Sequence, residues 1–385
     1  MIARLLRQQG AEVRVALSRA AREFVGPATF AGLTGNPVVG DMFEPNLGGE
    51  LHVDLAGESH LLLIAPATAD VISRLASGRA DDTITATVLC ASCPVLVAPA
   101  MHPAMWAHPA TVRNVATLEQ DGRIQWVGPV RGEVATGEVG VGRMAEPEAV
   151  VAEVVRRLSA HDLSGRRLVI SAGPTLEDLD PIRFLGNRSS GKMGYALAER
   201  AAARGAEVVV VSGPVALPPP AGVEAMAVRS ATDMRGALWH ALGRNLDQAD
   251  GLIMAAAVAD YRPAETSASK LKRNAPALTV ELVQNPDLLA EIGHARQGSA
   301  PVLVGFALET GSDEAVVESA RGKLRSKRVD LVVANHAGDA LGRDDNRATL
   351  VGEDFTDALG VMPKGDLADQ ILNWLSQRWS EQSPC

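Results

Sequence analysis

Residues 173–194 hold the densest group of chemically competent side chains in this chain, in the sequence GPTLEDLDPIRFLGNRSSGKMG. Small residues in this segment let the backbone turn tightly and present its N–H groups to an anion: Gly186, Ser189, Ser190, Gly191 and Gly194. An apolar run precedes the segment and an amphipathic helical pattern follows it, so these N–H groups would meet the positive end of a helix dipole. Lys192 adds a mobile cation. The segment is therefore predicted to bind a phosphate.

The glycine spacing alone leaves other interpretations open. It is not the dinucleotide fingerprint, and it is not a phosphate-binding P-loop either, because Met193 follows Lys192 where that loop has Ser or Thr. The next apolar strand ends in Ser212 and Gly213 instead of the acidic residue that binds an NAD ribose. These features disfavour an NAD-linked oxidoreductase. A glycine-rich connection without a ligand remains an alternative on local pattern.

Continuous apolar runs alternate with helical patterns along the whole chain. Examples are EVRVALS, HLLLIAPATAD and PVLVAPAM in the first part, and RLVISAG, EVVVVSGP, GLIMAAAVAD and DLVVAN in the second. This alternation predicts parallel sheets covered by helices on both faces. We expect an α/β protein of two doubly wound, Rossmann-like domains, residues 1–158 and 162–385. Because the chain opens on a helical pattern, the first strand of the first domain is expected to be missing, with the natural start upstream as one explanation.

Composition restricts the class of protein. A chain of 385 residues with 46% hydrophobic content can bury two cores, and its net charge of −9 opposes binding to nucleic acid or to an acidic membrane. No apolar run reaches the length of a membrane span and no signal pattern opens the chain, so a cytoplasmic location is predicted. Three cysteines do not suggest a disulfide framework. Cys90 and Cys93 form a CxxC that we interpret as two small buried side chains, not as a redox or zinc site.

Strings in the second part resemble one enzyme family. GPTLEDLDPIRFLGNRSSGKMG is followed by AAAVADY, KLKRN, NPDLL, GFALET and ARGKLRSKRVDLVVAN, in the order and spacing of the phosphopantothenate–cysteine ligase domain of bifunctional coenzyme A biosynthesis proteins. The resemblance covers about residues 162–380. It implies a ligase domain with a mostly parallel sheet. It also implies a reaction in which CTP converts the carboxylate of 4′-phosphopantothenate into an acyl cytidylate, which L-cysteine then attacks.

The resemblance also implies site residues. Arg183 and Asn187 match residues that act on the acyl cytidylate, and Lys270 matches a catalytic lysine that also binds the nucleotide. Asp260 matches a nucleotide contact that would help to place Mg²⁺. The remaining positions matching CTP-binding residues are Met254, Ala255, Ala256, Pro286, Asp287, Leu288, Leu289, Phe306, Lys323 and Lys327, together with Lys270. Lys323 and Lys327 are four residues apart, so on a helix they would share one face and contact one triphosphate. Without the surrounding motifs, this pair would be read as a solvated basic face.

Strings in the first part resemble the FMN-dependent phosphopantothenoylcysteine decarboxylase domain of the same bifunctional proteins. They are LHVDLA, LLLIAPATADVISRLASGRADD, PVLVAPAMHPAMW and TGEVGVGRMAEP, within residues 1–150. The resemblance implies a flavodoxin-like flavoprotein domain, with Ser18, Ala67 and Thr68 near the flavin and His52 as an acid or base. Equally, Ser18 and Thr68 are candidate helix caps, and His52 a structural histidine.

Two positions depart from that pattern. The chain has His102 where the family has asparagine, and Thr136 where it has a cysteine on a flap. Imidazole differs from an amide in its hydrogen-bonding groups, and a hydroxyl supplies neither a thiolate nor a reductant. We therefore expect a ligase whose first domain keeps the fold and lacks decarboxylase activity.

Competing hypotheses remain open. One is a fully bifunctional enzyme that uses FMN to convert 4′-phosphopantothenoylcysteine into 4′-phosphopantetheine and tolerates His102 and Thr136. Another is a binding module that senses a nucleotide or a flavin without turnover. The resemblance further implies a homo-oligomer, through dimers of the ligase domain and trimers of the flavin domain.

Overall fold

The computed structural model of the protein describes residues 1–40, 42, 50–272, 278–309, 312–336 and 344–382. It divides into two compact units, Met1–Ser159 and Ala160–Cys385. Two motifs quoted above extend beyond the described residues: Arg273 and Asn274 of KLKRN, and Thr310 of GFALET.

The first unit surrounds a small parallel sheet with helices. Its helices, within the described residues, are α1 (Ile2–Gln8), α2 (Arg19–Arg22), α3 (Pro27–Thr34), α4 (Leu51–Glu58), α5 (Ala69–Ala76), α6 (Thr83–Cys90), α7 (Pro103–Trp106), α8 (Pro109–Asp121) and α9 (Pro147–Leu158). Its strands are β1 (Leu62–Ala67), β2 (Val95–Pro99), β3 (Ile124–Trp126), β4 (Val130–Glu133) and β5 (Val139–Arg143). Strands β1, β2 and β3 pair in parallel, whereas β4 and β5 form an antiparallel hairpin.

The prediction of a strand over residues 12–18 was wrong. This segment pairs through one isolated parallel bridge, Ala16 to Val39, and does not join the β1–β3 sheet in the described part of the unit. Its hydrogen bonds go instead to residues after α3: the Val39 N–H donates to the Val15 carbonyl, and the Asn36 amide donates to the Val13 carbonyl.

The second unit is larger. Its strands are β6 (Arg167–Ala172), β7 (Leu176–Asp178), β8 (Phe184–Gly186), β9 (Glu207–Ser212), β10 (Glu224–Ala227), β11 (Gly251–Met254), β12 (Tyr261–Pro263), β13 (Leu282–Gln284), β14 (Val302–Glu309), β15 (Leu331–His336), β16 (Asp345–Asn346), β17 (Ala348–Val351), β18 (Thr356–Ala358) and β19 (Met362–Pro363). Its helices, among the described residues, are α10 (Lys192–Ala203), α11 (Ala231–Leu242), α12 (Leu288–Ala295), α13 (Asp313–Lys327) and α14 (Lys364–Gln382).

The main sheet of this unit has the order β10-β9-β6-β11-β14-β15-β17-β18. The first six strands in this order, β10, β9, β6, β11, β14 and β15, are parallel to one another. Strands β17 and β18 extend the sheet by antiparallel pairing. Numbered along the chain, the parallel strands follow the order 3-2-1-4-5-6 of doubly wound folds, which places the topological switch point between β6 and β11. The predicted α/β class, with a mostly parallel sheet, is confirmed.

Helices cover both faces of this sheet. One buried cluster packs Leu197 of α10 and Leu372 of α14 against β6, and the other packs Leu238 of α11, Ile292 of α12 and Val316 of α13 against the opposite face. Helices α12 and α13 approach very closely. A β-carbon on Gly293 would lie only 1.9 Å from the carbonyl oxygen of Lys327, so the contact requires a residue without a side chain.

Two further observations bear on the class of protein. Cys90 is exposed and Cys93 is half-buried, so the prediction that both are buried was wrong; Cys90 is the last residue of α6 and lies at the surface. Across the described residues, no helix combines the length and apolar character that crossing a bilayer would require.

Candidate functional sites

The carboxyl ends of β6 and β11 meet at the switch point of the second unit. The Ala257 N–H donates to the Gly173 carbonyl at 2.9 Å, and the Ala256 N–H donates to the Ser171 hydroxyl at 3.1 Å. These bonds hold the predicted positions Met254, Ala255 and Ala256 at the crevice where open α/β sheets bind ligands.

The segment after β6 contains two short strands before it reaches α10. Residues of β7 and β8 pair into an antiparallel hairpin, and Arg183 lies at the turn while Asn187 follows β8. The Asn187 amide donates to the Val258 carbonyl at 2.9 Å. Asn187 therefore joins the segment after β6 to the segment after β11.

The N-terminus of α10 follows this hairpin. Gly191 precedes the helix with a φ of 74°, a left-handed conformation that favours glycine. The Lys192 ammonium is 2.6 Å from the Asp344 carboxylate, and this contact holds the pKa of that carboxyl below its ordinary value. The predicted cation thus lies at the first turn of the helix, paired with an acidic side chain.

The apolar run GLIMAAAVAD predicted a strand that ends at Asp260, and this placement was wrong. Strand β11 ends at Met254, and Asp260 is exposed and lies directly before β12. The neighbouring backbone is held by the buried Asn285, whose side chain donates to the Ala259 carbonyl at 2.8 Å and whose N–H donates to the Asp260 carbonyl at 2.8 Å. Asn285 thereby connects Asp260 to the following residues 286–289.

The positions matching NPDLL lie at the N-terminus of α12. Asp287 caps this helix by accepting a hydrogen bond from the Ala290 N–H at 3.0 Å, and it contacts the Lys327 ammonium at 2.8 Å. Burial raises the pKa of the Asp287 carboxyl, but Lys327 and the Ala290 N–H outweigh it and hold the pKa below its ordinary value. Lys323 and Lys327 both lie in α13, as predicted from their spacing.

The remaining nucleotide positions pack onto the adjacent strand β14. Leu289 lies over Gly305, where a β-carbon would meet its side chain at 2.5 Å, and Gly305 pairs with Met254 of β11. Phe306 follows in β14 and is half-buried. Buried Leu288 and exposed Pro286 complete the set of residues around the N-terminus of α12. The predicted nucleotide positions on β11, α12 and β14 are therefore connected by direct contacts.

Lys270 is exposed and precedes a residue held by the β7–β8 hairpin. The Leu271 N–H donates to the Asp180 carboxylate at 3.1 Å, and the Leu271 carbonyl accepts from the Arg183 guanidinium at 3.1 Å. The structure thus brings the chain segments of Arg183 and Lys270 together.

In the first unit, β1 and β2 end beside the β4–β5 hairpin. The Ala100 N–H donates to the Ala67 carbonyl at 3.0 Å, and the Met101 N–H donates to the Gly142 carbonyl at 2.9 Å. A β-carbon on Gly142 would lie 2.3 Å from the Met101 carbonyl oxygen, so this close approach requires glycine. Thr68 follows β1 and caps α5 by accepting from the Val71 N–H at 3.4 Å.

His102 connects α7 to the hairpin. Its Nδ1 accepts from the Ala104 N–H at 3.2 Å, which caps α7, and its Nε2 is 2.8 Å from the Glu138 carboxylate. Thr136 is exposed in the turn between β4 and β5. His102 therefore contacts the same β4–β5 hairpin whose turn contains Thr136.

Ser18 and His52 lie elsewhere in the same unit. Ser18 caps α2 by accepting from the Ala21 N–H at 3.1 Å, so its alternative role as a helix cap is present. His52 is half-buried within α4. Helix α4 packs through Leu55 onto Val39, which is bridged to the segment that precedes Ser18.

Comparison with known proteins identifies the family. Residues 1–159 match the family described as flavoprotein, and residues 163–378 match the DNA/pantothenate metabolism flavoprotein C-terminal domain. The coenzyme A biosynthesis bifunctional protein CoaBC of Mycobacterium tuberculosis is 44% identical over 387 aligned residues, covering 97% of this chain and 91% of the relative. The chain belongs to the CoaBC family. The Vibrio cholerae CoaBC is 40% identical and covers 98% of this chain and 94% of the relative.

Among solved structures, the C-terminal domain of a CoaBC protein is 37% identical to this chain, with a TM-score of 0.49. That domain is covered completely, and it corresponds to 58% of this chain. As a CoaBC family member, this chain pairs a flavoprotein domain with a ligase-type domain in the order that its motifs predicted.

Sequence reasoning missed three side chains that organise these sites. Asp180 and Asn285 lie inside quoted motifs, but they are buried and act on backbone groups, which a motif comparison does not reveal. Glu138 was quoted within TGEVGVGRM without a role; its contact to His102 spans distant parts of the sequence. The signal available beforehand was a charged or amide residue within an otherwise apolar or turn-forming motif.

Proposed function

We propose that the second unit ligates L-cysteine to 4′-phosphopantothenate with CTP. In the first step a carboxylate oxygen of 4′-phosphopantothenate attacks the α-phosphorus of CTP, and the bond to pyrophosphate breaks. In the second step the cysteine amine attacks the acyl carbon, CMP leaves with the bonding electrons, and the amine loses a proton. The product is 4′-phosphopantothenoylcysteine.

The contact network at the switch point supports this proposal. Asn187 is bonded to the segment after β11, Asn285 ties that segment to α12, and Asp287 contacts Lys327 of α13. Residues matched to the ligase reaction from separate strings therefore lie on connected elements at one edge of the sheet. Family membership and the resemblance of these strings supply the identity of the substrates.

Charge neutralisation is the main requirement of nucleotidyl transfer, because negative charge spreads over the phosphoryl oxygens in the transition state. Lys327 and Lys323 supply cations from one helix, and Lys270 supplies another from the segment before β13. Before CTP binds, Asp287 offsets the charge of Lys327. We assign Asn187 to orient the acyl group, because its carboxamide offers a donor and an acceptor on one rigid plane.

Mg²⁺ would neutralise the phosphates of CTP, and Asp260 is its proposed protein ligand. Its exposed carboxylate suits a cation that keeps waters and binds through one or two carboxylates plus phosphate oxygens. Among the described residues, no group of three or more His, Cys, Asp and Glu side chains forms a metal site.

For the first unit we propose a flavin-type fold with little decarboxylase activity. The hydroxyls of Ser18 and Thr68 accept from backbone N–H groups, and a hydroxyl that accepts also retains a proton to donate, so this donor set fits FMN. FMN would supply oxidation of the cysteine moiety. Thr136 lies in the hairpin turn where the family has cysteine, and its hydroxyl cannot provide the thiol chemistry of that position.

Product analysis tests both assignments. Purified protein would be incubated with CTP, Mg²⁺, 4′-phosphopantothenate, L-cysteine and FMN, and the products identified by mass spectrometry, with ATP replacing CTP as a control. Accumulation of 4′-phosphopantothenoylcysteine and CMP is expected. Absence of ligation would overturn the proposed function, and binding without turnover would favour a sensing module. Conversion to 4′-phosphopantetheine would favour the bifunctional alternative.

A further inference from the structure

Asp180 is a buried carboxylate at the turn of the β7–β8 hairpin, with only 1% of its surface exposed. One carboxylate oxygen accepts from the N–H groups of Ile182 and Arg183, each at 2.8 Å. The other oxygen accepts from the Leu271 N–H at 3.1 Å. One side chain therefore fixes two segments of the chain, since the bond from Leu271 to Asp180 spans 91 positions of the sequence.

The segment before Leu271 lies along the same hairpin. The Ser267 N–H donates to the Leu179 carbonyl at 3.0 Å, and the Thr266 hydroxyl donates to the Asp178 carbonyl at 3.1 Å. The Leu271 carbonyl receives the Arg183 guanidinium, so both sides of this residue's backbone are occupied. Lys270 is the residue immediately before this anchor.

The anchor depends on the ionised form of Asp180. Burial raises the pKa of this carboxyl, but hydrogen bonds from the backbone of Ile182, Arg183 and Leu271 outweigh it and hold the pKa below its ordinary value. An ionised carboxylate only accepts hydrogen bonds, which suits a site with three N–H donors.

We propose that Asp180 is a positioning residue of the ligase site, which sets where Lys270 lies relative to Arg183. The inference rests on the proposed function, in which Lys270 supplies a cation to nucleotidyl transfer and Arg183 matches a residue that handles the acyl cytidylate. Asp180 is buried and accepts from the N–H groups of Arg183 and of Leu271, the residue after Lys270, and its carboxylate is 3.8 Å from the Arg183 guanidinium. Its loss would displace Lys270, and small displacements of a charged group reduce transition-state stabilisation.

The variant Asp180→Asn separates the bonds to Ile182 and Arg183 from the bond to Leu271. An amide oxygen can still accept from Ile182 and Arg183, whereas the amide NH₂ would face the Leu271 N–H and two donors cannot bond. We expect pyrophosphate release from CTP, at limiting CTP, to fall by about tenfold, the effect of losing one hydrogen bond to a charged group. The value of kcat/KM for cysteine should stay unchanged, because this ratio reports only the steps after the acyl cytidylate has formed and cysteine enters only there.

Glu177→Gln is the matched control. Glu177 is a buried carboxylate of the same hairpin, but it accepts from the Ala231 N–H at 2.8 Å, at the start of α11. The amide oxygen of glutamine can keep this bond. We expect this control to release pyrophosphate within about twofold of the wild-type rate.

Two measurements separate positioning from general destabilisation. Hydrogen exchange followed by mass spectrometry should show faster exchange in residues 264–272 of Asp180→Asn and unchanged exchange in residues 187–203. In a double-mutant cycle with Lys270→Ala, Asp180→Asn should cause no further loss in the rate of pyrophosphate release once Lys270 is absent. The CTP dissociation constant of each variant is the second readout.

Full activity of Asp180→Asn, or losses that add in the cycle, would overturn the inference. A wild-type protein without ligase activity would refute the proposed function instead, and hydrogen exchange would still report whether Asp180 holds the Lys270 segment. If Asp180→Asn does not fold, Leu271→Pro removes the same N–H donor from the other side and the same cycle applies. Unchanged CTP binding and exchange in that variant would count against the inference.

Discussion

The Nε2 atom of His102 lies 2.8 Å from the carboxylate of Glu138, and this contact joins the N-terminus of α7 to the β4–β5 hairpin. The His102 Nδ1 atom is engaged by the Ala104 N–H, so the ring has a partner on each side. An asparagine at this position could not reach the hairpin and cap the helix with the same geometry. The substitution of His102 and the placement of the Thr136 turn are therefore structurally linked.

Restoring the family residues should restore decarboxylation. The double variant His102→Asn with Thr136→Cys supplies the amide and the thiol, and we expect 4′-phosphopantetheine formation to rise by roughly 100-fold, the scale of one positioned proton donor. His102→Asn with Thr136→Ser is the control, because serine has similar size without a thiol. The assay is product mass spectrometry with 4′-phosphopantothenoylcysteine and FMN. A wild-type protein that already decarboxylates as fast as the restored variant would contradict the prediction.

Asn187→Ala should abolish most ligation. We expect kcat to fall by about 100-fold or more, comparable to removal of one polar group that stabilises a transition state. Arg188→Ala is the control, since Arg188 is the next residue and is also exposed. The measurement is CMP release with 4′-phosphopantothenate and cysteine. Equal activities of the two variants would refute the role given to Asn187.

Lys327→Gln should weaken CTP binding. Loss of a charged contact to phosphate predicts a dissociation constant raised by about tenfold. Arg325→Gln is the matched control, because Arg325 lies on the same helix and is exposed. Calorimetric titration of each variant with CTP gives the comparison. A similar weakening in both variants would indicate general electrostatics rather than a defined lysine contact.

Arg204→Met should destabilise the second unit. The Arg204 guanidinium is 9% exposed and is 2.9 Å from the Asp162 carboxylate and 2.9 Å from the Asn373 side chain. Asp162 is exposed and is solvated when Arg204 is removed, so the free energy of unfolding should fall by about 1.5 kcal/mol, the scale of a hydrogen bond to a charged group. Urea unfolding measures this loss. Arg188→Met, at an exposed position, should change it by less than about 0.5 kcal/mol.

The same pair predicts a dependence on pH. A hydrogen bond from Arg204 is the main cause that holds the pKa of the Asp162 carboxyl below its ordinary value, against a smaller effect of burial. The native state therefore binds protons less readily than the unfolded state, and the stabilisation is complete above about pH 4 and lost as the pH falls further. Thermal unfolding across this range should show a shallower pH dependence in Asp162→Asn. An unchanged dependence would exclude Asp162 as a contributor.

The sequence predicted the layout of the second unit well, because continuous apolar strands such as Leu168–Ile170 leave few alternatives to a covered parallel sheet. Helix α13 was also predictable, and with it the common face of Lys323 and Lys327. The ligand assignments and the expected dimers and trimers need a bound molecule or a second copy, so they stay predictions.

One of the failures depended on contacts between distant segments. Residues 12–18 look like a strand, yet their partners follow α3 and not the sheet. The alternation of apolar residues in a segment does not specify which other segment it pairs with. The β7–β8 hairpin was missed for a different reason: Asp180 holds its turn locally, by accepting from the N–H groups two and three residues later, and this turn signal was not used.

The 1.9 Å separation between a β-carbon at Gly293 and the Lys327 carbonyl gives the ligase site an unexpected sensitivity. Gly293 lies in α12 and belongs to none of the assigned ligand positions, yet any side chain there would push the end of α13 away and carry the lysine with it. The short distance between α12 and α13 thus limits which residues position 293 tolerates. A screen for variants with altered nucleotide preference would find Gly293 as sensitive as a nucleotide-contacting residue.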